Sequence, residues 1–255
     1  MAGDGFDEKL QRLKSRIDPL EKVIHLLAAG LLQPILYDSG SEHYGFRYLK
    51  PTVVHFCLLK IIRAVSALNA ALELARCGYS QEVCVLLRTL VECTTHIEYV
   101  LSARDDTGRL KADAEKYVEA YFTDFARNTA ADFKRAQIRQ QKVHEHLGAI
   151  LDNLVDRNSR TDEYPKAEKL YSNIYLTLSN YVHAKYPEVM DLYGGAPGHF
   201  HLRGMRGTTK DNENFEQVEN LIGTVAITLK LMIVQLQLRH LIDKDLLLTG
   251  WFEGV

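Results

Sequence analysis

Apolar residues recur along most of this chain at spacings of three and four, the period of an α-helix rather than the alternation of a strand. Asp18-Pro19 reads as an N-cap followed by proline at the first helical position, and predicts a helix to about Ala29, before Gly30. The amphipathic stretch Phe6 to Ile17 predicts another helix that meets this one at a bend. Tyr37 to Tyr48 holds Asp38, Ser39, Gly40 and Gly45 and reads as a loop. Pro51 then opens a long helix that ends at Gly78, a residue suited to the left-handed position past a helix C-terminus. Ser80 caps the next, which carries Val83, Leu86, Leu87, Leu90, Val91 and Ile97 and fades near Ser102.

Asp105-Asp106-Thr107-Gly108 is a turn, after which a helix is expected from about Arg109 to Arg127. Thr129-Ala-Ala-Asp132 resembles a capping box and predicts a strongly charged helix to about Asp156. Arg157 to Asp162 breaks it, and Pro165 starts a helix containing Leu170, Ile174, Leu178 and Val182. Gly194 to Asn212 is the longest irregular stretch; within it His199-Phe-His-Leu202 alternates weakly. Asn214, with Gln217 three residues on, caps a long apolar helix to about Leu241. The pattern therefore predicts an all-α bundle of about seven helices, with a long loop near 194–212. It reads as one domain over residues 1–255, with 109–157 polar enough to protrude as a helical hairpin.

Composition changes this picture little. The 255 residues carry 31 Lys+Arg and 33 Asp+Glu, a net charge of -2, with 46% hydrophobic residues. That is ordinary for a globular protein and excludes a globally basic nucleic-acid coat, although not a local basic patch. The N-terminus, MAGDGFDEKLQRLKSR, lacks the apolar core of a signal peptide. The most apolar long stretch, Leu221 to Leu238, is interrupted by Lys230, Gln235 and Gln237, so a central buried helix is expected in place of a membrane span. Cys57, Cys77, Cys84 and Cys93 have no CxxC spacing and read as buried free thiols in a reducing cytoplasm.

Three regions carry candidate chemistry. Arg88, Glu92 and His96 stand four apart on an apolar helix, so each can touch the next along one ridge. They form a site, or else the solvent face of the helix or a structural ion pair between helices. His183, in Leu178-Ser-Asn-Tyr-Val-His183, lies near an apolar helix face and can titrate near neutrality. Ser179 and Asn180, within one turn of it, can bind a phosphate or orient the imidazole; a His capping carbonyls is the structural alternative. The loop from Gly194 to Lys210 holds Arg203, Arg206 and Lys210, with His199 and His201 and no acidic residue, as a phosphate- or RNA-binding loop would require. A solvated loop is the other reading. No P-loop, dinucleotide fingerprint, HExxH or GxSxG occurs, and Glu92 and His96 are one residue too far apart for a di-metal Glu-x-x-His site. His144-Glu-His146 looks metal-like, but residues two apart on a helix diverge. No cofactor or metal is expected.

The residues Leu87-Arg88-Thr-Leu-Val-Glu92 and Leu178-Ser-Asn-Tyr-Val-His183 carry a resemblance. Over roughly Val53 to Leu241 the chain resembles bacterial helical proteins of the DUF5677 type, which pair an R-x-x-x-E helix with a later S-x-x-x-H helix. It is more distantly similar to the HEPN group of helical bundles, many of them metal-independent ribonucleases of toxin and antiphage systems. The chain departs from the HEPN pattern, in which Arg and His lie four to six residues apart. Leu176, Thr177 and Leu178 stand where that Arg is due, and Arg88 and His96 are separated by seven. Two expectations follow. One is a cytoplasmic non-catalytic binding or interaction module with a buried Arg88–Glu92–His183 polar network, which binds a partner protein or a small anionic ligand in the same pocket. The other, implied by the resemblance, is an RNA-binding protein or endoribonuclease, with His183 as general acid or base and Arg88 steadying the phosphorane. Glu92 would orient either residue, and the composite site would call for a homodimer.

Overall fold

A computed structural model describes residues 4–38, 44–123, 128–141, 177–208 and 210–242. Helix dominates them, as the periodicity requires. The elements are α1 (Asp4–Gly30), β1 (Ile35–Asp38), β2 (Tyr44–Arg47), α2 (Val53–Arg76), α3 (Ser80–Ser102) and α4 (Ala112–Tyr121). They continue with helical residues 130–141 (α5) and 177–182 (α6), then α7 (Tyr186–Met190), α8 (Lys210–Gln235) and a short 3₁₀ turn, Leu238–Leu241. Eight α-helices among the described residues, with a single two-stranded ribbon, make the protein an all-α bundle.

The core is one continuous apolar cluster. α2 is the central helix, its Phe56, Ile61, Leu68 and Leu72 fully buried against Leu87, Leu90 and Ile97 of α3 and Ile222, Val225 and Leu229 of α8. α1 lies along α2 and α8. The stripe Leu10, Leu13, Ile17, Leu20, Val23 and Leu27 runs unbroken past Pro19. The two helices expected here are therefore corrected to one continuous helix of 27 residues. Proline costs the bond to the carbonyl four residues back, but burial of apolar residues on both sides keeps the helix continuous. Arg12 and Arg16 both bind Glu219 of α8, at 3.1 and 2.6 Å, which fixes the register of the first and last long helices.

Gly78 follows the α2 C-cap at φ +80 and turns the chain into α3, as expected. The capping box also forms: Asp132 N–H donates to Thr129 Oγ1 at 3.2 Å, and Thr129 N–H to Asp132 Oδ2 at 3.3 Å. Other expectations change. Where a loop was expected over 37–48, residues 35–38 and 44–47 pair as an antiparallel ribbon with Leu36 opposite Phe46, since Ile35, Tyr37 and Phe46 favour extended backbone. α4 is shorter than expected and belongs to the bundle, because Ala114 and Tyr117 are buried. α8 begins at Lys210, not Asn214, which shortens the irregular stretch. At its start Phe200 forms an antiparallel bridge with Tyr193, the remnant of the alternation at 199–202. Cys57, Cys84 and Cys93 are buried thiols, whereas Cys77 at the α2–α3 turn is exposed. The expected helix beyond residue 141, His144-Glu-His146, the break at 157–162 and the helix start at Pro165 all lie outside the described residues.

By length and composition alone, Val53–Arg76 and Phe215–Gln235 could each cross a membrane. In the bundle about half of the first span's most apolar stretch is buried in protein, and about two-fifths of the second's.

Candidate functional site

The ridge on α3 forms as its spacing requires. Arg88 Nη2 lies 2.9 Å from Glu92 Oε1, with 18% and 24% of the two side chains exposed. One turn on, the His96 ring meets Tyr117 of α4 edge to face at 5.6 Å. Below them α2 supplies Lys60, whose ammonium sits 4.7 Å over the Tyr121 ring and 5.6 Å over Phe56. Burial pulls the Lys60 pKa down, opposed by the nearby Cys93 and Glu92. Burial pushes the Cys93 thiol up, opposed by Lys60 and Arg63. Burial also drives the Tyr117 phenol up, so it stays protonated at neutrality. The result is a polar and aromatic seam between α2, α3 and α4. Lys60 was legible as the one charge in the apolar run Val53 to Ile62, but nothing local pointed to Tyr117 or Tyr121.

His183 does not join this seam. Its ring is exposed, and among the described residues no hydrogen bond or ion pair links it to Arg88 or Glu92. His183 thus stands outside the expected Arg88–Glu92–His183 network, because α6 ends at 182, with Ala184 at φ +47, and turns it outward. The Ser179 and Asn180 carbonyls accept the N–H groups of His183 and Lys185, both at 3.0 Å. This is the negative end of a helix, unfavourable for the phosphate these two residues were expected to bind.

The basic loop is also committed elsewhere. Arg206 stacks on the Phe6 ring at 3.3 Å and donates to the Arg76 carbonyl at 2.7 Å, clamping the end of α2. Met205 N–H donates to Gly78 O at 2.7 Å, and the Met205 side chain is buried. Lys210 belongs to α8 rather than the loop, and Arg203 is exposed. Of the three, Arg206 is thus held against Phe6 and the end of α2, and Lys210 lies beyond the loop at the start of α8. Among the described residues no three His, Cys, Asp or Glu side chains gather to hold a metal ion.

A cleft of about 300 Å³ opens between α3, α6 and α8, one face round α3 from Arg88. Leu87, Leu178 and Leu221 form its apolar walls, and Thr177, Tyr181, Gln217 and Asn220 bring polar groups. Two of these are anchored: Tyr181 OH donates to Asp191 Oδ2 at 3.3 Å, and Gln217 Oε1 lies 3.6 Å from the Cys84 sulfur. Burial raises the Tyr181 pKa, reinforced by Cys84 and Asp191, so the phenol remains a donor. Sequence reading reached Leu178 and Gln217 only as core and capping residues.

Three turns along α3 from Leu87, Glu98 accepts from buried Thr228 of α8 at 3.0 Å. Burial raises its pKa, and the Thr228 bond opposes this. A carboxyl raised in the fold costs nothing at low pH and destabilises as pH climbs above its ordinary 4.5, where only the unfolded chain ionises freely. Glu98→Gln is therefore expected to match wild type near pH 4 and to exceed it near pH 7.5 in urea unfolding. Equal differences at both pH values would contradict this.

Comparison with protein-family models, with curated proteins and with solved structures finds no match to this chain.

Proposed function

We propose that the protein is a non-catalytic helical binding module that takes a small, largely apolar molecule in the cleft between α3, α6 and α8. The observation that carries this reading is the cleft itself: three leucine walls, with hydrogen-bonding groups from Tyr181, Gln217 and Asn220. Ligand sites of this size are mostly apolar, with a few placed polar groups that set orientation. The Arg88–Glu92 pair serves as a scaffold element that fixes α3, and the protein works in the cytoplasm.

The test is titration with the naphthalene dye ANS, followed by fluorescence. Saturable binding of one equivalent is expected, lost in Leu221→Trp, which fills the cleft, and kept in Arg88→Ala at a lower melting temperature. Unsaturable binding, or a Leu221→Trp protein that binds as wild type does, would reject the proposal. So would metal-free RNA cleavage that disappears in His183→Ala, the outcome the RNA-acting reading requires.

A further inference from the structure

The ribbon β1–β2 leaves two large apolar side chains bare. Leu36 and Phe46 are register partners and so share one face. They are 61% and 68% exposed, and Leu32 and Leu49, just outside the strands, are 60% and 59% exposed. The base of the ribbon is anchored to the bundle. Tyr48 packs on His55 of α2 with ring centroids 4.3 Å apart, and Gln33 donates to the Ala28 and Leu31 carbonyls at the end of α1. A two-stranded ribbon is marginal in water, so an apolar face this open calls for cover. The chain itself returns to this spot. Past α8 the 3₁₀ turn brings Leu241 against Gly30, the last residue of α1: a Cβ on Gly30 would lie 2.7 Å from Leu241 Cδ2. Ile242 is buried and extended, at φ -115 and ψ 134. Beyond it, outside the described residues, the sequence runs DKDLLLTGWFEGV.

We propose that residues 243–255 of the same chain lie across the Leu36–Phe46 face of the ribbon, with Leu246 to Leu248 and the Trp251-Phe252 pair as its apolar cover. Three features select this occupant. The first is reach. At about 3.3 Å per extended residue, Leu36 lies within about 20 Å of Gly30, against which Leu241 packs, and Trp251 can stand up to about 30 Å from Ile242. The second is charge. Residues 44–50 carry Arg47 and Lys50 and no acidic side chain, whereas 243–255 carry Asp243, Asp245 and Glu253 against a single Lys244. The third is tethering: a segment joined by so short a connection acts at an effective concentration in the millimolar range, against which a separate partner must compete. The ribbon lies by the C-terminal end of α8, whereas the cleft opens nearer its start, at Gln217 to Leu221, so the two surfaces are separate.

The test uses the full chain. Trp251 is its only tryptophan, so tryptophan fluorescence reports on this segment alone. In the native protein the emission is expected at a shorter wavelength than in the free peptide 243–255, with weaker quenching by acrylamide, and neither should change on dilution. Phe46→Asp, and separately Leu36→Asp, should move emission and quenching to the peptide's values while the helical circular dichroism is retained. Ile227→Asp, on the half-exposed outer face of α8, should move neither. Peptide-like emission in the wild type, or a Trp251 indifferent to both ribbon variants, would overturn the proposal. So would a Trp251 exposed by Ile227→Asp, which would place the segment on α8, or one exposed on dilution, which would place it on a second copy.

Discussion

Phe56→Ala is expected to lower the unfolding free energy by about 3–5 kcal/mol, the cost of removing a large ring from a site that cannot collapse. Phe56 is fully buried on α2 and is the hub of an aromatic set. Tyr117 meets it edge on at 5.7 Å and Tyr121 at 5.0 Å, while Lys60 lies over its face. Those two tyrosines tie α4, a helix of ten residues, to Phe56, beside its buried Ala114, Val118 and Ala120. The loss should therefore be uneven. Hydrogen exchange in residues 112–121 is expected to rise well before α2 or α3 loosens, as local opening precedes global unfolding. Ile227→Ala, on the half-exposed face of α8, should change stability by no more than about 0.5 kcal/mol. Urea unfolding of the two variants side by side checks the contrast, and a Phe56→Ala protein within about 1 kcal/mol of wild type would contradict it.

Gly78→Ala is expected to cost about 3 kcal/mol, for two separable reasons. The residue sits at φ +80, where a side chain is strained, and a Cβ there would lie 2.5 Å from the Arg206 backbone nitrogen. Backbone cannot swing aside as a flexible side chain can. The turn between α2 and α3 would have to move, or the 204–206 segment would have to lift and expose Met205. Gly204 faces the same constraint from the other side, its Cβ position 2.4 Å from the Cys77 carbonyl. Gly108 supplies the control: it has φ +81, yet nothing lies within 4 Å of its Cβ position. Gly108→Ala should therefore show only the conformational strain, about 1–2 kcal/mol. If both variants lose equal stability, the close approach contributes nothing.

The ten residues from Lys60 to Asn69 illustrate how the sequence conveys faces but not neighbours. Ile61, Ala64, Val65, Ala67 and Leu68 are spaced as one helical stripe, and that stripe is buried. Lys60 stands out as a charge in apolar sequence, yet its partners Tyr121 and Glu92 lie on two other helices, and only the packing of α4 and α3 on α2 supplies them. Arg88 and Glu92 were predictable as a pair because four residues on a helix place them together regardless of the fold. His183 was not, because its position depends on where α6 ends and which way the chain leaves it.

The arginines of the 194–210 stretch make the same point. A basic, glycine-rich segment reads as an anion grip while only its own composition is considered. In the folded protein Phe6 and the α2 carboxyl end reach Arg206 first, and Gly204 serves close approach rather than ligand access. What the sequence by itself determined is the all-α class, the buried faces of α1, α2, α3 and α8, the Gly78 stop and the Thr129–Asp132 cap, since each depends on residues within one or two helical turns. Tertiary structure alone decided the continuity of α1 through Pro19, the ribbon, the aromatic seat of Lys60, the outward His183 and the leucine-walled cleft. Each of these arises where segments far apart in sequence meet, and the energy of that meeting is set by burial and shape, which a local pattern does not carry.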